Sequence, residues 1–297
     1  MPPAPLRAEC LVHAHDTVGE SPVWSPAEQA LWWTDIEGRR IHRLAWADRS
    51  VQSWALAEQA GCIGLHHAGG LVAGMASGIF HLHPRPDGRV QAKCLHQAAH
   101  GQDDMRFNDG RVDRAGRFWS TTMVRDMART APAGKLYLSA AGHTRELLAG
   151  FITPNGTAFS PDGRVFYISD SHPSVQKVWA FDVDANGSLH NRRVFIDMTA
   201  YPGRPDGATV DADGCYWICG NDAGLVHRFT PQGRLDRSVQ VPVDKPAMCA
   251  FAGPGLDTLV ITSIRPAQPP AAQAELAGAV FAVVPGVKGL PEQAFAG

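Results

Sequence analysis

Hydrophobic positions in this chain come in short runs that are rich in β-branched and aromatic residues, with polar turns between them. Four runs of similar composition occupy residues 31–34, 118–121, 165–168 and 215–218. After each run comes a polar turn and then a second run of the same kind. Asp-Gly or Asn-Gly pairs lie between many of the runs, where a tight turn requires a positive φ. The pattern predicts antiparallel β-hairpins rather than helices.

The hairpins recur with a period. Four polar residues each precede a short apolar stretch and have equivalent turn and strand positions eight and eleven residues later: Glu20, Asn108, Asn155 and Asp206. The wider gap after Glu20 leaves room for one more unit around Cys62, and a final unit would begin near Ala247 or Met248. Units of about 45–50 residues are typical of a four-stranded propeller blade. We therefore predict an all-β, six-bladed β-propeller with four-stranded antiparallel blades around a central channel, formed as one domain by residues 1–297.

Two other architectures fit the pattern less well. An eight-stranded β/α barrel needs an amphipathic helix after every strand, and the best helical candidates, 124–130 and 271–277, are short and poorly patterned. A protein of two β domains remains possible, but no shift in composition marks a linker. The Pro- and Ala-rich stretch 266–274 is interpreted as a loop inside the last unit.

Composition and charge exclude several classes of partner. The chain has 27 Lys and Arg against 29 Asp and Glu, which gives a formal net charge of −2. Such a chain has no overall positive field for nucleic acid or an anionic membrane surface, and it contains no run of about 18 apolar residues. The first seven residues lack the apolar core of a signal peptide, so we expect a cytoplasmic protein. The six cysteines form no CxxC motif and are expected to be reduced.

The four in-phase polar residues are the candidates for a functional site. The first strand of each propeller blade lines the channel, so residues at one phase of the repeat converge on the axis. Asn and Asp are also ordinary turn formers, but four at one phase favour a shared role. Two carboxylates in a small pocket repel each other, and a bound cation relieves the repulsion. Carboxylate and amide oxygens suit Ca²⁺, Mg²⁺ or Mn²⁺ and permit Zn²⁺ or Fe²⁺. Few protein ligands would leave positions for water and substrate, as in a catalytic metal centre.

Other polar and aromatic residues receive more ordinary interpretations. Arg106 precedes Asn108 by two positions, so strand alternation would place both on one side; it could bind a carbonyl or a hydroxyl-rich substrate, or be a surface arginine. Asp109 is expected to contribute to turns and blade packing, and repeat tryptophans such as Trp32 and Trp33 to fill the core between blades. The 13 histidines include no HExxH pattern and Ser21 is not in a G-x-S-x-G elbow, so a zincin or a serine hydrolase is poorly supported.

At these residues the sequence resembles the family of six-bladed propellers that contains regucalcin, gluconolactonase and luciferin-regenerating enzyme. Five motifs in family order carry the resemblance over nearly the whole chain, at residues 19–24, 106–110, 154–156, 205–207 and 286–290. The resemblance implies a divalent cation held by Glu20, Asn155 and Asp206. It also implies substrate contacts from Arg106 and Asn108. One position departs from the family pattern, because Asp126 stands where relatives such as regucalcin carry a substrate-contacting Glu; we assign Asp126 to the substrate with a shorter reach.

The family's usual reaction, hydrolysis of sugar lactones to aldonic acids, fits such a site. A cation would polarise the lactone carbonyl and stabilise the oxyanion, while Asp206 could take a proton from the attacking water and donate one to the leaving ring oxygen. The implied cation is one Ca²⁺, Mn²⁺, Zn²⁺ or Fe²⁺ ion. The expected partner is a small-molecule sugar lactone, bound by a monomer or weak homodimer. Two alternatives stay open: a hydrolase of another ester or lactone with the same metal site, and a non-catalytic Ca²⁺-binding regulatory propeller.

Overall fold

A computed structural model describes residues 6–129 and 131–297, and β-strands dominate them. In chain order the strands are β1 (Leu6–Arg7), β2 (Glu9–Val12), β3 (Gly19–Ser25), β4 (Ala30–Asp35), β5 (Arg40–Ala45), β6 (Val51–Ala55), β7 (Ala60–Leu65), β8 (Leu71–Met75), β9 (Gly78–Pro84), β10 (Val90–Gln97), β11 (Met105–Val112), β12 (Phe118–Val124), β13 (Gly134–Ala140), β14 (His143–Phe151), β15 (Pro154–Phe159), β16 (Val165–Asp170), β17 (Lys177–Val183), β18 (Leu189–Asp197), β19 (Arg204–Val210), β20 (Tyr216–Asn221), β21 (Leu225–Phe229), β22 (Leu235–Gln240), β23 (Pro246–Ala252), β24 (Thr258–Ser263) and β25 (Val280–Val283).

The strands form six blades in a ring, which confirms the predicted six-bladed propeller. Blades 1 to 5 are the consecutive sets β3–β6, β7–β10, β11–β14, β15–β18 and β19–β22, and blade 6 contains β23, β24, β25 and β2. Within each blade the four strands pair antiparallel. The innermost strands β3, β7, β11, β15, β19 and β23 contact their neighbours in that order, and β23 returns to β3. The first strand of every blade therefore lies around one axis.

The ring is closed by residues near the N-terminus. β2 pairs antiparallel with β25 as the outermost strand of blade 6, with Cys10 opposite Phe281. β1 pairs in parallel with β22 and adds a fifth strand to blade 5, with Leu6 opposite Val239. The repeat pattern predicted neither pairing, because a strand so far away in sequence has no periodic mark that assigns it to a sheet.

Hydrophobic packing lies between the blades, with one buried cluster at each of the six junctions. Side chains alternate along a strand, so neighbouring residues belong to different junctions: Trp32 packs toward blade 2 and Trp33 toward blade 6. The expectation that tryptophans fill the core between blades is confirmed. The indole N–H of Trp119 donates to Asp113 at 2.8 Å, so the one polar group of this buried side chain has a hydrogen-bond partner.

Helical structure in the described residues consists of three single 3₁₀ turns, Met127–Arg129, Met198–Ala200 and Ala271–Gln273. Two of these turns lie within the segments considered as helix candidates. In the first of those segments Val124 ends β12, and Thr130 lies outside the described residues. No helix in the described part of the chain has the length and apolar character needed to span a bilayer.

The C-terminal segment 284–297 crosses the ring at the end where the innermost strands finish. Its backbone bonds to turns of several blades, including Gly116 and Ala212. Glu292 forms an ion pair with Arg111, which is the seventh residue of β11. Phe295 is buried and packs in the cluster between blades 2 and 3. This segment therefore covers one end of the channel.

Candidate active site at the open end of the channel

A break in strand register turns the in-phase polar residues toward the axis. The β3–β4 pairing shifts directly after Glu20, and the β15–β16 pairing directly after Asn155. The shifts in β11 and β19 begin just before Asn108 and Asp206. Such a bulge re-aims side chains and ends regular pairing. The innermost strand of every blade therefore has a break in its pairing register at an equivalent position. The polar residues that recur in the sequence lie at or beside these breaks.

The glycines that follow two of these residues are required by close approach. Gly156, directly after Asn155, has φ +64, and a Cβ there would lie 2.5 Å from the Tyr216 hydroxyl. A Cβ at Gly207, directly after Asp206, would collide with the Met248 side chain. The Asn-Gly and Asp-Gly pairs therefore serve the packing of adjacent inner strands as well as the local turn.

All four in-phase residues line one cavity, in which the space open to water-sized molecules is about 130 Å³. Its walls are formed by Val18, Glu20, Ile36, Arg106, Asn108, Met123, Thr153, Asn155, Ser171, Arg204, Pro205, Asp206, Asn221 and Ile264. Polar groups come from blades 1, 3, 4 and 5. Cys62 does lie in the innermost strand of blade 2, but it is buried in the cluster between blades 2 and 3 and does not reach this cavity.

A chain of hydrogen bonds fixes one wall of the cavity. Arg106 Nη1 donates to Asn108 Oδ1 at 2.6 Å, and Asn108 Nδ2 donates to Asn155 Oδ1 at 2.9 Å. Asn155 Nδ2 in turn donates to Ser171 Oγ at 2.7 Å, and that hydroxyl donates to the Pro205 carbonyl. Each amide is therefore oriented by its neighbours. Asn155 Oδ1 has two lone pairs and the Asn108 amide uses one of them, so the other can accept a further donor or a cation.

Two buried carboxylates also line the cavity. Glu20 is 8% exposed and Asp206 is 9% exposed. Within the described residues, Glu20 Oε2 accepts from the Ser21 backbone N–H at 2.9 Å, and Asp206 Oδ2 accepts from Asn221 Nδ2 at 2.7 Å. Each carboxylate is thus held at one oxygen by a donor that fixes its orientation. The other oxygen of each has no hydrogen-bond partner in the described part of the chain.

Electrostatics in the cavity oppose the ionised state of both acids. Burial raises the pKa of Glu20 well above its ordinary value, and the neighbouring charges of Asp206 and Asp109 raise it further. Burial also raises the pKa of Asp206, against the opposing effects of its Asn221 hydrogen bond and the Arg204 charge. Asp109 does not line the cavity; its carboxylate accepts from the backbone and hydroxyl of Thr157 at 2.7 and 3.0 Å and so links blades 3 and 4.

The donor set fits a divalent cation. Glu20 and Asp206 offer unused carboxylate oxygens and Asn155 offers an amide oxygen, all hard ligands. A positive ion between the two carboxylates would favour their ionised forms against the burial that raises both pKa values. In the described residues no three His, Cys, Asp or Glu side chains are grouped as a metal site, so a cation held here would take the Asn155 amide as its third protein ligand.

Asp126 is placed differently from the other sequence candidates. Its side chain is exposed, its Oδ1 accepts from the Ala128 backbone N–H at 2.9 Å, and it does not line the cavity. The structure therefore brings Glu20, Arg106, Asn108, Asn155 and Asp206 together and leaves Asp126 outside. The assignment of Asp126 to the substrate stays a prediction.

Sequence reasoning missed several residues of the cavity wall, among them Arg204, Ser171 and Asn221. A signal was present for two of them. The second strand of a blade runs back toward the same end of the channel, so its last residues return to the cavity 15 or 16 positions after the in-phase residue. Ser171 follows Asn155 in this way, and Asn221 follows Asp206.

Fold and site together define a class: a six-bladed propeller whose axial cavity combines two buried acids with three amides and two arginines. The chain belongs to the SMP-30/Gluconolactonase/LRE-like family, whose model matches residues 18–265. It is 39% identical over 294 residues to a 6-deoxy-6-sulfogluconolactonase from Pseudomonas putida, covering 97% of this chain and 98% of that one. It is 32% identical to regucalcin from Sus scrofa, covering 98% and 99%. The crystal structure of a calcium-binding protein, regucalcin, from Agrobacterium tumefaciens superposes with a TM-score of 0.89 at 28% identity, covering 98% of each chain.

Proposed function

We propose that this protein is a lactonase that opens the ring of sugar lactones with the help of one divalent cation in the axial cavity. The observation that carries the proposal is the convergence of Glu20, Asn155 and Asp206, each with an unused oxygen, beside Arg106 in one buried cavity. The names of two relatives support it: one is a sulfogluconolactonase, and the other is described as calcium-binding.

Glu20, Asn155 and Asp206 would hold the cation. When bound, it would polarise the lactone carbonyl and stabilise the negative charge that develops on the carbonyl oxygen. The hard oxygen ligands are compatible with Ca²⁺ and Mn²⁺, and the set also permits Zn²⁺ or Fe²⁺.

Asp206 would act as the general base and general acid. Its Oδ2 accepts from the Asn221 amide at 2.7 Å, so Oδ1 would use one lone pair for the cation and the other to accept a proton from the attacking water. Burial raises the pKa of Asp206 to about 7 when no cation is bound, and a cation beside it would favour the ionised form that accepts a proton. The same carboxyl can then return the proton to the ring oxygen as the C–O bond of the lactone breaks.

Arg106 would bind the substrate through its guanidinium group. Its Nη1 is fixed by Asn108 Oδ1 and the Phe107 carbonyl at 2.6 and 2.9 Å, whereas its Nε is buried without a hydrogen-bond partner in the described residues. A buried unsatisfied donor is unfavourable by itself. A carbonyl or hydroxyl oxygen of a lactone would satisfy it. Asn108 would then position the arginine and contact the substrate from the same wall.

A panel of lactones tests the proposal. Purified protein is freed of metal by a chelator and assayed on glucono-, galactono-, xylono- and arabinono-lactones after each candidate cation is added back. We expect turnover that requires a cation and a loss of about 10²–10⁴-fold in Asp206→Asn. The matched control is Asp257→Asn, at an exposed turn aspartate.

The outcomes separate the alternatives. Cation binding by the wild type without turnover of any lactone or ester would support the non-catalytic Ca²⁺-binding propeller instead. Turnover of other esters alone would support a different hydrolase with the same site. Cytoplasmic location, a monomer or weak homodimer, and the absence of nucleic-acid and membrane partners also remain predictions.

A further inference from the structure

Arg204 occupies the rim of the axial cavity. It is the first residue of β19 and pairs with Asn221, whose amide holds Asp206. Its side chain lines the cavity and is 29% exposed, so it lies between the buried acids and the solvent. No sequence motif singled it out, and the roles assigned above do not use it.

The orientation of Arg204 is fixed from one side only. Its Nε donates to Asp222 Oδ2 at 2.6 Å, while Asp222 also forms an ion pair with Lys245. The Asp222 carboxylate is thus shared by two cationic side chains, Arg204 and Lys245. The Nη1 and Nη2 groups of Arg204 make no hydrogen bond to any described residue, so the outer edge of the guanidinium is available to a ligand.

The acids that face the cavity form no ion pair with Arg204, whose carboxylate partner in the described residues is Asp222. The acids in the wall are Glu20 and Asp206, which the proposed cation would occupy, and the remaining charged group is Arg106. Arg204 and Asp206 are two residues apart on one strand, which corresponds to about 7 Å. That distance is comparable to the length of a six-carbon lactone, so a substrate whose carbonyl carbon lies near Asp206 would direct its far end toward Arg204.

From this geometry we propose that Arg204 is a specificity-determining residue that binds an anionic group on the exocyclic carbon of the lactone. The proposal rests on the lactonase function and narrows its substrate class to sugar lactones with a sulfonate, phosphate or carboxylate at that end. A guanidinium edge with two N–H groups suits such oxyanions, because it can donate two parallel hydrogen bonds to them.

The test compares anionic and neutral substrates in the same protein samples. The substrates are gluconolactone, 6-phosphogluconolactone, 6-deoxy-6-sulfogluconolactone and glucarolactone, and the variants are Arg204→Gln and Arg204→Lys. We expect Arg204→Gln to lower the ratio of kcat/KM for an anionic over the neutral lactone by about 10- to 100-fold, the range of a hydrogen bond between charged groups. Arg204→Lys keeps the charge without the paired N–H groups and should recover part of the ratio.

The matched control is Arg193→Gln, which breaks a comparable surface ion pair with Asp182 at 2.8 Å far from the cavity and should leave the ratio unchanged. The ratio does not depend on the folded fraction, because both substrates are measured in one sample. The anion that gives the largest ratio identifies the substituent. An unchanged ratio in Arg204→Gln, or a wild type that does not prefer any anionic lactone, overturns the inference.

Failure of the proposed function can be recognised separately. If the wild type opens none of these lactones, calorimetric titration with 6-phosphogluconate and with gluconate still decides the role of Arg204. Tighter binding of the phosphorylated acid that Arg204→Gln abolishes supports the anionic subsite. Equal affinities for the two acids overturn it.

Discussion

Asp206→Asn should make the metal-free protein more stable at the same time as it removes activity. Asp206 is 9% exposed and shares the cavity with a second buried carboxylate, Glu20. Burial raises the pKa of Asp206 from its ordinary 3.8 to about 7. One pKa unit corresponds to 1.36 kcal/mol, so ionising this carboxyl in the cation-free fold lowers the free energy of unfolding by about 4 kcal/mol.

The sign and the pH window follow from the direction of the shift. Between about pH 4 and pH 7 the unfolded chain has released the proton of Asp206 while the folded chain retains it. The free energy of unfolding of the wild type therefore falls as pH rises through this window and stays low above it. An Asn side chain does not titrate, and its neutral amide also removes a charge that raises the pKa of Glu20. The variant should match the wild type near pH 4 and exceed it at pH 8.

Urea denaturation of both proteins in excess chelator, at pH 4.5 and pH 8, measures this difference. The control Asp257→Asn, at an exposed position, should follow the wild type at both values. Saturating cation should then stabilise the wild type, by about 2.7 kcal/mol at a hundred times Kd, and have little effect on Asp206→Asn. Equal stability of the chelated proteins at pH 8, or a difference that does not shrink toward pH 4.5, would refute the reasoning.

Three further changes test other parts of the structure. Arg106→Ala should leave the cation content intact by elemental analysis while steady-state assays show a higher KM, with kcat lowered too if the guanidinium stabilises the developing oxyanion; loss of the cation would show that Arg106 supports the ligands instead. Phe295→Ala should lower the free energy of unfolding by about 3–5 kcal/mol in urea titrations, because the ring is 3% exposed in the cluster between blades 2 and 3; a change below 1 kcal/mol would mean that the C-terminal segment is not required to seal that junction. Gly61→Ala would place a Cβ against the Phe107 carbonyl, so we expect lower stability and lower lactonase kcat/KM together, and an unaffected protein would contradict the close approach of β7 and β11.

The fold could be predicted because residues of the same type recur at equivalent positions of each repeat. A polar residue, a turn eight positions later and an aromatic or aliphatic residue eleven positions later describe one inner strand, one hairpin and the next strand. The structure gives a physical reason for this pattern at two of the repeats. Gly156 and Gly207 allow close approach to neighbouring groups, and Asn155 and Asp206 lie where the strand register shifts. The same phase therefore indicated the axial residues.

Other features could not be predicted because no local pattern encodes them. The pairing of β2 with β25 joins residues more than 260 positions apart, and no pattern within β2 itself identifies the sheet that it completes. Arg204 looks like a loop arginine in the sequence, and only the pairing with Asn221 brings it to the cavity rim. Asp126, in contrast, was assigned by analogy, and the structure places its side chain in an exposed turn.

The two ends of the channel explain why chemistry is expected at one of them. At the end covered by the C-terminal segment, Arg111 is neutralised by Glu292, and its remaining donors bind the carbonyls of Thr157 and Ala208 at 3.2 and 2.7 Å. Arg114 at the same end donates its Nη1 to the Pro291 carbonyl at 2.9 Å, although its Nε is buried without an acceptor in the described residues. The C-terminal segment itself therefore occupies this end of the channel. At the other end Glu20 and Asp206 share one cavity, and the Nε of Arg106 is buried without an acceptor in the described residues. Unsatisfied buried groups lower stability unless something binds them, so the free energy that the fold loses at this end becomes available for binding a cation and an oxygen-rich substrate.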